Sequence, residues 1–276
     1  MGRSIKLILY YFAYQLAFMF IVMIPASIME AIKEGSTTES LAYATGKATA
    51  QMTGITMVLA GIAMTWHLIH FKYVKFNKAS WTEVPIKTIL LSIPFIIATM
   101  FTFNIASEFI ELPNLMENTF IGMSRNIFGI LAIAVMAPLV EELLFRGAIE
   151  GHLLQTGKTP KMAIFLSALI FGIIHVNPAQ VPFAFCIGLV FGWLYYRTGS
   201  VIPGMIGHFL NNSIATLIMA TSTKEEMSQK TVDMIGTTPT YALLLLAIVV
   251  SIGMYFYLNK HLPLPKKEVE TINEQA

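Results

Sequence analysis

Val135–Gly147, VMAPLVEELLFRG, is the stretch on which the fold turns. It carries two adjacent carboxylates, Glu141 and Glu142, and a guanidinium, Arg146, inside the apolar run 126–150. In water, three charged groups on a helix would be ordinary. In lipid each ionised group is expensive to bury, and such groups usually mark a working site.

Composition decides between these solvents. The chain has 276 residues, 55% of them hydrophobic and only 12% charged, with a mean hydropathy of +0.67. A soluble domain carries about twice that charge fraction. One globular core cannot hide so much apolar side chain, so lipid must solvate much of it. The net charge of +2 names no partner, and the absence of a basic patch with interleaved aromatics argues against nucleic acid. The single cysteine, Cys186, cannot form an internal disulfide and reads as a small buried hydrophobe.

Outward from the charged stretch, eight apolar runs are long enough to matter: 5–29, 48–71, 86–110, 126–150, 161–177, 180–197, 201–220 and 240–258. About 20 residues span a bilayer, and with no water in the hydrocarbon such runs must be helices. The expected fold is an all-α, multi-pass membrane bundle of about eight transmembrane helices. Arg3 and Lys6 precede a first run too long for a secretory signal core, with no clean cleavage site after it, so it reads as a span. With the N-terminus placed in the cytoplasm, thirteen of the eighteen Lys and Arg fall inside and five outside. That asymmetry follows the positive-inside rule and puts both termini in the cytoplasm. Residues 1–260 are expected to form one membrane domain and 261–276 a polar cytoplasmic tail, with Ile32–Lys47 and Thr221–Thr240 as outer loops.

Few ionisable or amide groups lie inside the runs. The fourth holds Glu141, Glu142 and Arg146, with Glu150 at its end. The fifth ends in FGIIH, Phe171 to His175, and the seventh contains GHFLNN, with His208, Asn211 and Asn212. Residues four apart share a helix face, so Glu142 with Arg146 and His208 with Asn212 are neighbours. Glu141 points about a third of a turn off that first pair. This divides the labour: Glu142 and Arg146 can form a structural ion pair, with Glu150 competing for the arginine. A desolvated carboxylate such as Glu141 can serve as a general base. His175 can help it hold a water, while His208 and Asn212 can donate to the oxyanion of a tetrahedral intermediate. Peptide hydrolysis needs this set of parts. The bland alternative is that these groups only bridge helices. Counted along the helices, His175 sits at a different depth from Glu141 and His208, a gap that helix tilt could absorb.

Other mechanisms lack their residues. The only aspartate is Asp233, in a loop, which excludes a two-aspartate protease. Neither H-E-x-x-H nor G-x-S-x-G occurs. Glu141, His175 and His208 do match the ligand types of some catalytic zinc sites, so zinc and a metal-free glutamate base both stand. A proton relay through Glu141, Glu142 and His208 would make a transporter, but no inverted repeats support one. Pro138 withholds a backbone donor and can kink its helix. His67 and His70, in WHLIHF, read as interfacial together with Trp66 and Tyr73.

The motifs EELLFR (Glu141 to Arg146), FGIIH (Phe171 to His175) and HFLNN (His208 to Asn212) together resemble the three motifs of the CPBP family, also called the CAAX protease or Abi family. Order and spacing agree, over about residues 126–216. The resemblance implies an eight-helix bundle with a catalytic cavity open to membrane and cytoplasm. It implies Glu141 as the base that activates water, His175 beside it, and His208 with Asn212 at the oxyanion. Glu142, Arg146 and Phe171 take supporting roles, and Asn211 is an extra amide without one. The family is described both as zinc-dependent and as glutamate-dependent. Its substrates are prenylated C-terminal CAAX tails in the eukaryotic branch. Prokaryotic relatives process peptide bacteriocins, give immunity to them, or regulate membrane partners without known proteolysis. The implied partners are therefore membrane lipid and a peptide or lipidated protein substrate. The alternative function is a non-catalytic immunity or regulatory protein of the same fold.

Overall fold

The computed structural model describes residues 2–33, 38–74 and 84–262, and every regular element among them is a helix. In chain order these are α1 (Gly2–Lys33), α2 (Thr38–His70), α3 (Ile86–Ser107), α4 (Glu117–Ser124), α5 (Ile127–Gln155), α6 (Pro160–Ile173), α7 (Val181–Thr198), α8 (Ile202–Thr221), α9 (Lys224–Ser228), α10 (Thr231–Ile235) and α11 (Thr237–His261). Each of the eight apolar runs is a helix. Six of them, α1, α2, α3, α5, α7 and α11, are long and apolar enough to cross a membrane. The 14-residue α6 is too short. The 20-residue α8 is not among the six, its apolar run being diluted by His208, Asn211 and Asn212. The apolar stretches of α1 and α11 are little buried by protein, and Leu9, Phe20, Leu245 and Phe256 point outward. Surface of that kind is stable only against lipid. The chain is an integral, multi-pass α-helical membrane protein.

Two expected loops are partly helical. α2 begins at Thr38, so most of the hydrophilic stretch Ile32–Lys47 lies within α1 and α2. Its TESLAYATGKA segment is rich in helix formers, which extend the helix beyond the apolar run. Thr221–Thr240 contains the short helices α9 and α10. Lys75 and Lys78, counted on the inner side, and the tail beyond Leu262 lie outside the described residues.

The chain divides into two compact units. The first contains α1, α2, α4, α5 as far as Leu144, and α8 from Phe209. Here α2 packs against α1, α4 and α5. A Cβ on Gly54 would lie 2.5 Å from the Gly129 nitrogen, so this glycine lets the α2 and α5 backbones touch. Met123, Ala132 and Ile133 are buried under Met57, Val58 and Phe120. His67 ties the end of α2 to α1. It bonds the Tyr14 hydroxyl through Nδ1 at 3.1 Å and lies between the rings of Tyr10 and Tyr73. Arg3 donates to the Tyr73 carbonyl. His67 is thus a buried anchor rather than an interfacial group, while exposed Trp66 and His70 stack on each other.

The second unit contains α3, α5 from Phe145, α6, α7, α8 as far as His208, α10 and α11. α7 packs along α6 and α3, and α11 packs along α3. Trp193 of α7 meets Phe95 of α3 and Tyr255 of α11. Arg197 donates to the Asn259 side chain and to the carbonyls of Asn259 and Leu262, at 2.7–2.8 Å. A guanidinium there caps the orphan carbonyls at the C-terminus of α11 and complements its dipole. Glu108 caps α10 by accepting from the Thr231 N–H and hydroxyl, and Lys230 pairs with Glu111.

Candidate active site

The charged stretch lies on a helix that leaves α-geometry twice. Leu131–Met136 and Leu143–Glu150 are π-helical, and the α-helical turn Ala137–Glu142 stands between them. Pro138 explains the first departure. It has no N–H to give, and Ala137 donates five residues back, to Ala132. In that register the next carbonyl, on Ile133, would be served by residue 138, which is the proline. The Asn212 side chain serves it instead, Nδ2 to the Ile133 oxygen at 2.9 Å. The expected effect of Pro138 is therefore seen as a change of helical register, with the freed carbonyl satisfied from α8. Such π-segments are frequent at functional sites.

In the first unit, Glu141 is 7% exposed and Glu142 fully buried. Glu141 shares a hydrogen bond with the Tyr11 hydroxyl of α1, which also bonds Gln15 one turn further on. Asn212 is held by Ile133, and its Oδ1 accepts from Asn211 Nδ2 at 3.1 Å. Thr216 fastens the following turn through its hydroxyl to the Asn212 carbonyl.

In the second unit, Phe171 is the hub. Its ring meets His175 edge-on at 4.9 Å and His208 at 5.7 Å, and Phe145 packs at 5.1 Å. The Arg146 guanidinium lies 4.6 Å from the Phe171 centroid and 5.7 Å from that of Phe191. It also donates to the Gly188 carbonyl at 3.0 Å. Phe191 stacks on His208 from another side, at 5.7 Å. Gly207 makes this possible, since a Cβ there would lie 2.8 Å from Ile96 and 3.0 Å from Phe191. The structure therefore brings Arg146, Phe171, His175 and His208 into one cluster, with Phe191 as the member the sequence did not flag.

His175 lies beyond the helix that the fifth apolar run was expected to form through it. α6 ends at Ile173, and His175 sits in the turn that follows. Its Nδ1 lies 2.7 Å from the Phe171 carbonyl. A carbonyl only accepts, so Nδ1 carries the proton and Nε2 of the neutral ring is left as an acceptor. The next residue, Val176, is held at φ +56°. A β-branched residue pays for that conformation. Asn177 secures it, donating to Asn114 at 2.8 Å and accepting from the Leu115 N–H at 2.9 Å.

Tyr11, Phe191 and Asn177 were missed from sequence. Tyr11 left no distinct trace, since Tyr10, Tyr14 and Gln15 stand beside it in the first run. Among the described residues no three His, Cys, Asp or Glu side chains are grouped as a metal ion would need.

Residues 123–214 match the family described as Type II CAAX prenyl endopeptidase Rce1-like. The chain is similar to the "Putative membrane peptidase YdiL" of Bacillus subtilis (strain 168), 26% identical over 106 residues, which covers 38% of this chain and 43% of the relative. It is also similar to the "Membrane-embedded CAAX protease MroQ" of Staphylococcus aureus (strain USA300), 29% identical over 93 residues, or 32% of this chain and 38% of the relative. The chain thus spans about two-fifths of the length of these curated relatives. No solved structure matches it.

Proposed function

We propose that this chain, which belongs to the CPBP (CAAX protease or Abi) family, is an endopeptidase that hydrolyses a peptide bond of a lipidated or membrane-bound substrate within the bilayer. What supports the reading most is a coincidence: the family-matched residues 123–214 contain all three polar motifs, and outside them the apolar helices offer no comparable set. Glu141 takes a proton from water, and the hydroxide attacks the scissile carbonyl. His175, with Nδ1 committed to Phe171, offers Nε2 to orient that water. His208 and Asn212 donate to the oxyanion of the tetrahedral intermediate, and Glu141 returns its proton to the leaving amine as the C–N bond breaks. Glu142, Arg146 and Phe171 support this set. Zinc held by Glu141, His175 and His208 is the competing cofactor proposal. Stoichiometric zinc in active protein, together with loss of activity on chelation, would establish it over the metal-free base.

A second reading, a non-catalytic immunity or regulatory protein, draws on one observation: the Asn212 amide is already used in a helix-to-helix hydrogen bond, as a purely structural amide would be. Mass spectrometry of a farnesylated CAAX peptide and of an unmodified bacteriocin precursor, each incubated with the reconstituted chain, separates the two. Site-specific cleavage supports the peptidase, and intact peptides with both substrates favour the scaffold.

A further inference from the structure

We propose that Asn211 is a positioning residue that fixes the direction of the Asn212 amide. The proposal rests on the reading of Asn212 as an oxyanion donor. Adjacent residues on a helix point about 100° apart and do not ordinarily face each other. A side-chain bond from Asn211 to Asn212 is therefore not a by-product of helix geometry.

The two ends of the Asn212 amide are set by chemistry of opposite sign. The Ile133 carbonyl, deprived of a partner by Pro138, can only accept, so it must face the Asn212 NH2 group. The Oδ1 end then needs a donor, and Asn211 Nδ2 supplies one at 3.1 Å. Rotating the amide by half a turn would set oxygen against oxygen at one end and NH2 against NH2 at the other. With both ends held, one Nδ2 proton is spent on Ile133 and the other points in a single fixed direction. The terminal torsion of asparagine is otherwise broad. An oxyanion donor works by being aimed before charge develops, so fixing that torsion is a catalytic advantage with no ground-state contact of its own. Asn211 itself is half-buried on α8, and Thr216 steadies the backbone carbonyl of the same residue it orients.

The test is a double-mutant cycle on the full-length chain in phosphatidylethanolamine–phosphatidylglycerol vesicles, with a farnesylated CAAX peptide as probe. Losing one oxyanion donor costs about 10²–10³ in kcat, so Asn212→Ala should fall in that range. Asn211→Ala should lower kcat about tenfold or more with KM nearly unchanged, because the interaction strengthens only in the transition state. The double variant should be no slower than Asn212→Ala, since Asn211 acts through it. Asn211→Gln, which keeps the amide donor, should recover part of the loss and serves where the alanine variant does not fold. Wild-type kcat in Asn211→Ala, or losses that simply multiply, overturns the assignment while leaving the peptidase reading intact. Wild-type kcat in Asn212→Ala removes the oxyanion reading and this inference together. Thermal unfolding of the same four proteins needs no substrate. Non-additive losses in Tm are expected, and strict additivity refutes the coupling.

Discussion

Replacing Arg146 tests whether the second-unit cluster is held by its guanidinium. Among the contacts at stake are a ring face at 4.6 Å, a second at 5.7 Å, and a hydrogen bond to Gly188 at 3.0 Å. A desolvated cation–π contact is worth about 2 kcal/mol at close range and nearer 0.5 at the limit of about 6 Å. A hydrogen bond from a charged donor adds about 1.5–3 kcal/mol. Arg146→Lys keeps the charge but loses the planar face over both rings, so about 2 kcal/mol should go. Arg146→Met loses the hydrogen bond from this fully buried group as well, so that about 3–5 kcal/mol goes in all. At about 2–4 °C per kcal/mol for chains of this size, the lysine variant should unfold about 4–8 °C lower, and the methionine variant about 6–20 °C lower. Because Phe171 and Phe191 both touch His208, their release should also slow peptide cleavage, about 10²-fold for a displacement of 1 Å. Differential scanning fluorimetry in detergent and a cleavage assay read both. A lysine variant with unchanged Tm and full activity would refute the role given to the stacked guanidinium.

Tyr11→Phe deletes only the hydroxyl that meets Glu141; kcat should drop about tenfold or more with little change in Tm, and unchanged kinetics would make the bond incidental. Asn177→Ala removes two hydrogen bonds behind the strained turn at Val176. It should lower stability by about 1–3 kcal/mol and loosen His175, seen as faster amide exchange over 174–180; unaltered exchange there counts against it. Gly188→Ala puts a Cβ 3.2 Å from both Ala168 and the Phe171 ring. The overpacking should cost about 1–3 kcal/mol and reduce cleavage, whereas a variant indistinguishable from wild type by scanning fluorimetry would show that α6 and α7 yield there.

How much of this was legible in the sequence follows from which forces act locally. All eight apolar runs are helices because a chain in hydrocarbon must satisfy its own backbone. That rule needs no partner residue. That His208 and Asn212 lie on successive turns of one helix, α8, followed in the same way from the apolar run that holds them. The π-register of α5 did not, since it depends on a carbonyl that Pro138 abandons and that an amide 79 residues away adopts. The end of α6 was misjudged because the apolar pattern runs on past Ile173, while the turn at Val176 is fixed by Asn177 and Asn114, 63 residues apart. Tyr11 and Glu141 are joined across 130 positions, so no window along the chain could pair them. His67 read as interfacial from its neighbours in WHLIHF, yet α1 covers it with Tyr10 and Tyr14. Local pattern gave the helices and their polar faces; long-range hydrogen bonds gave the geometry on them.

The most direct measurement is single-turnover cleavage of a vesicle-bound peptide by wild-type chain and by Glu141→Gln, with folding matched by thermal unfolding. A carboxamide keeps the shape of Glu141 but cannot take a proton from water. The account predicts a product carrying oxygen from labelled water in the wild type and a rate lower by about 10³-fold or more in the variant. Cleavage by Glu141→Gln at the wild-type rate would contradict it.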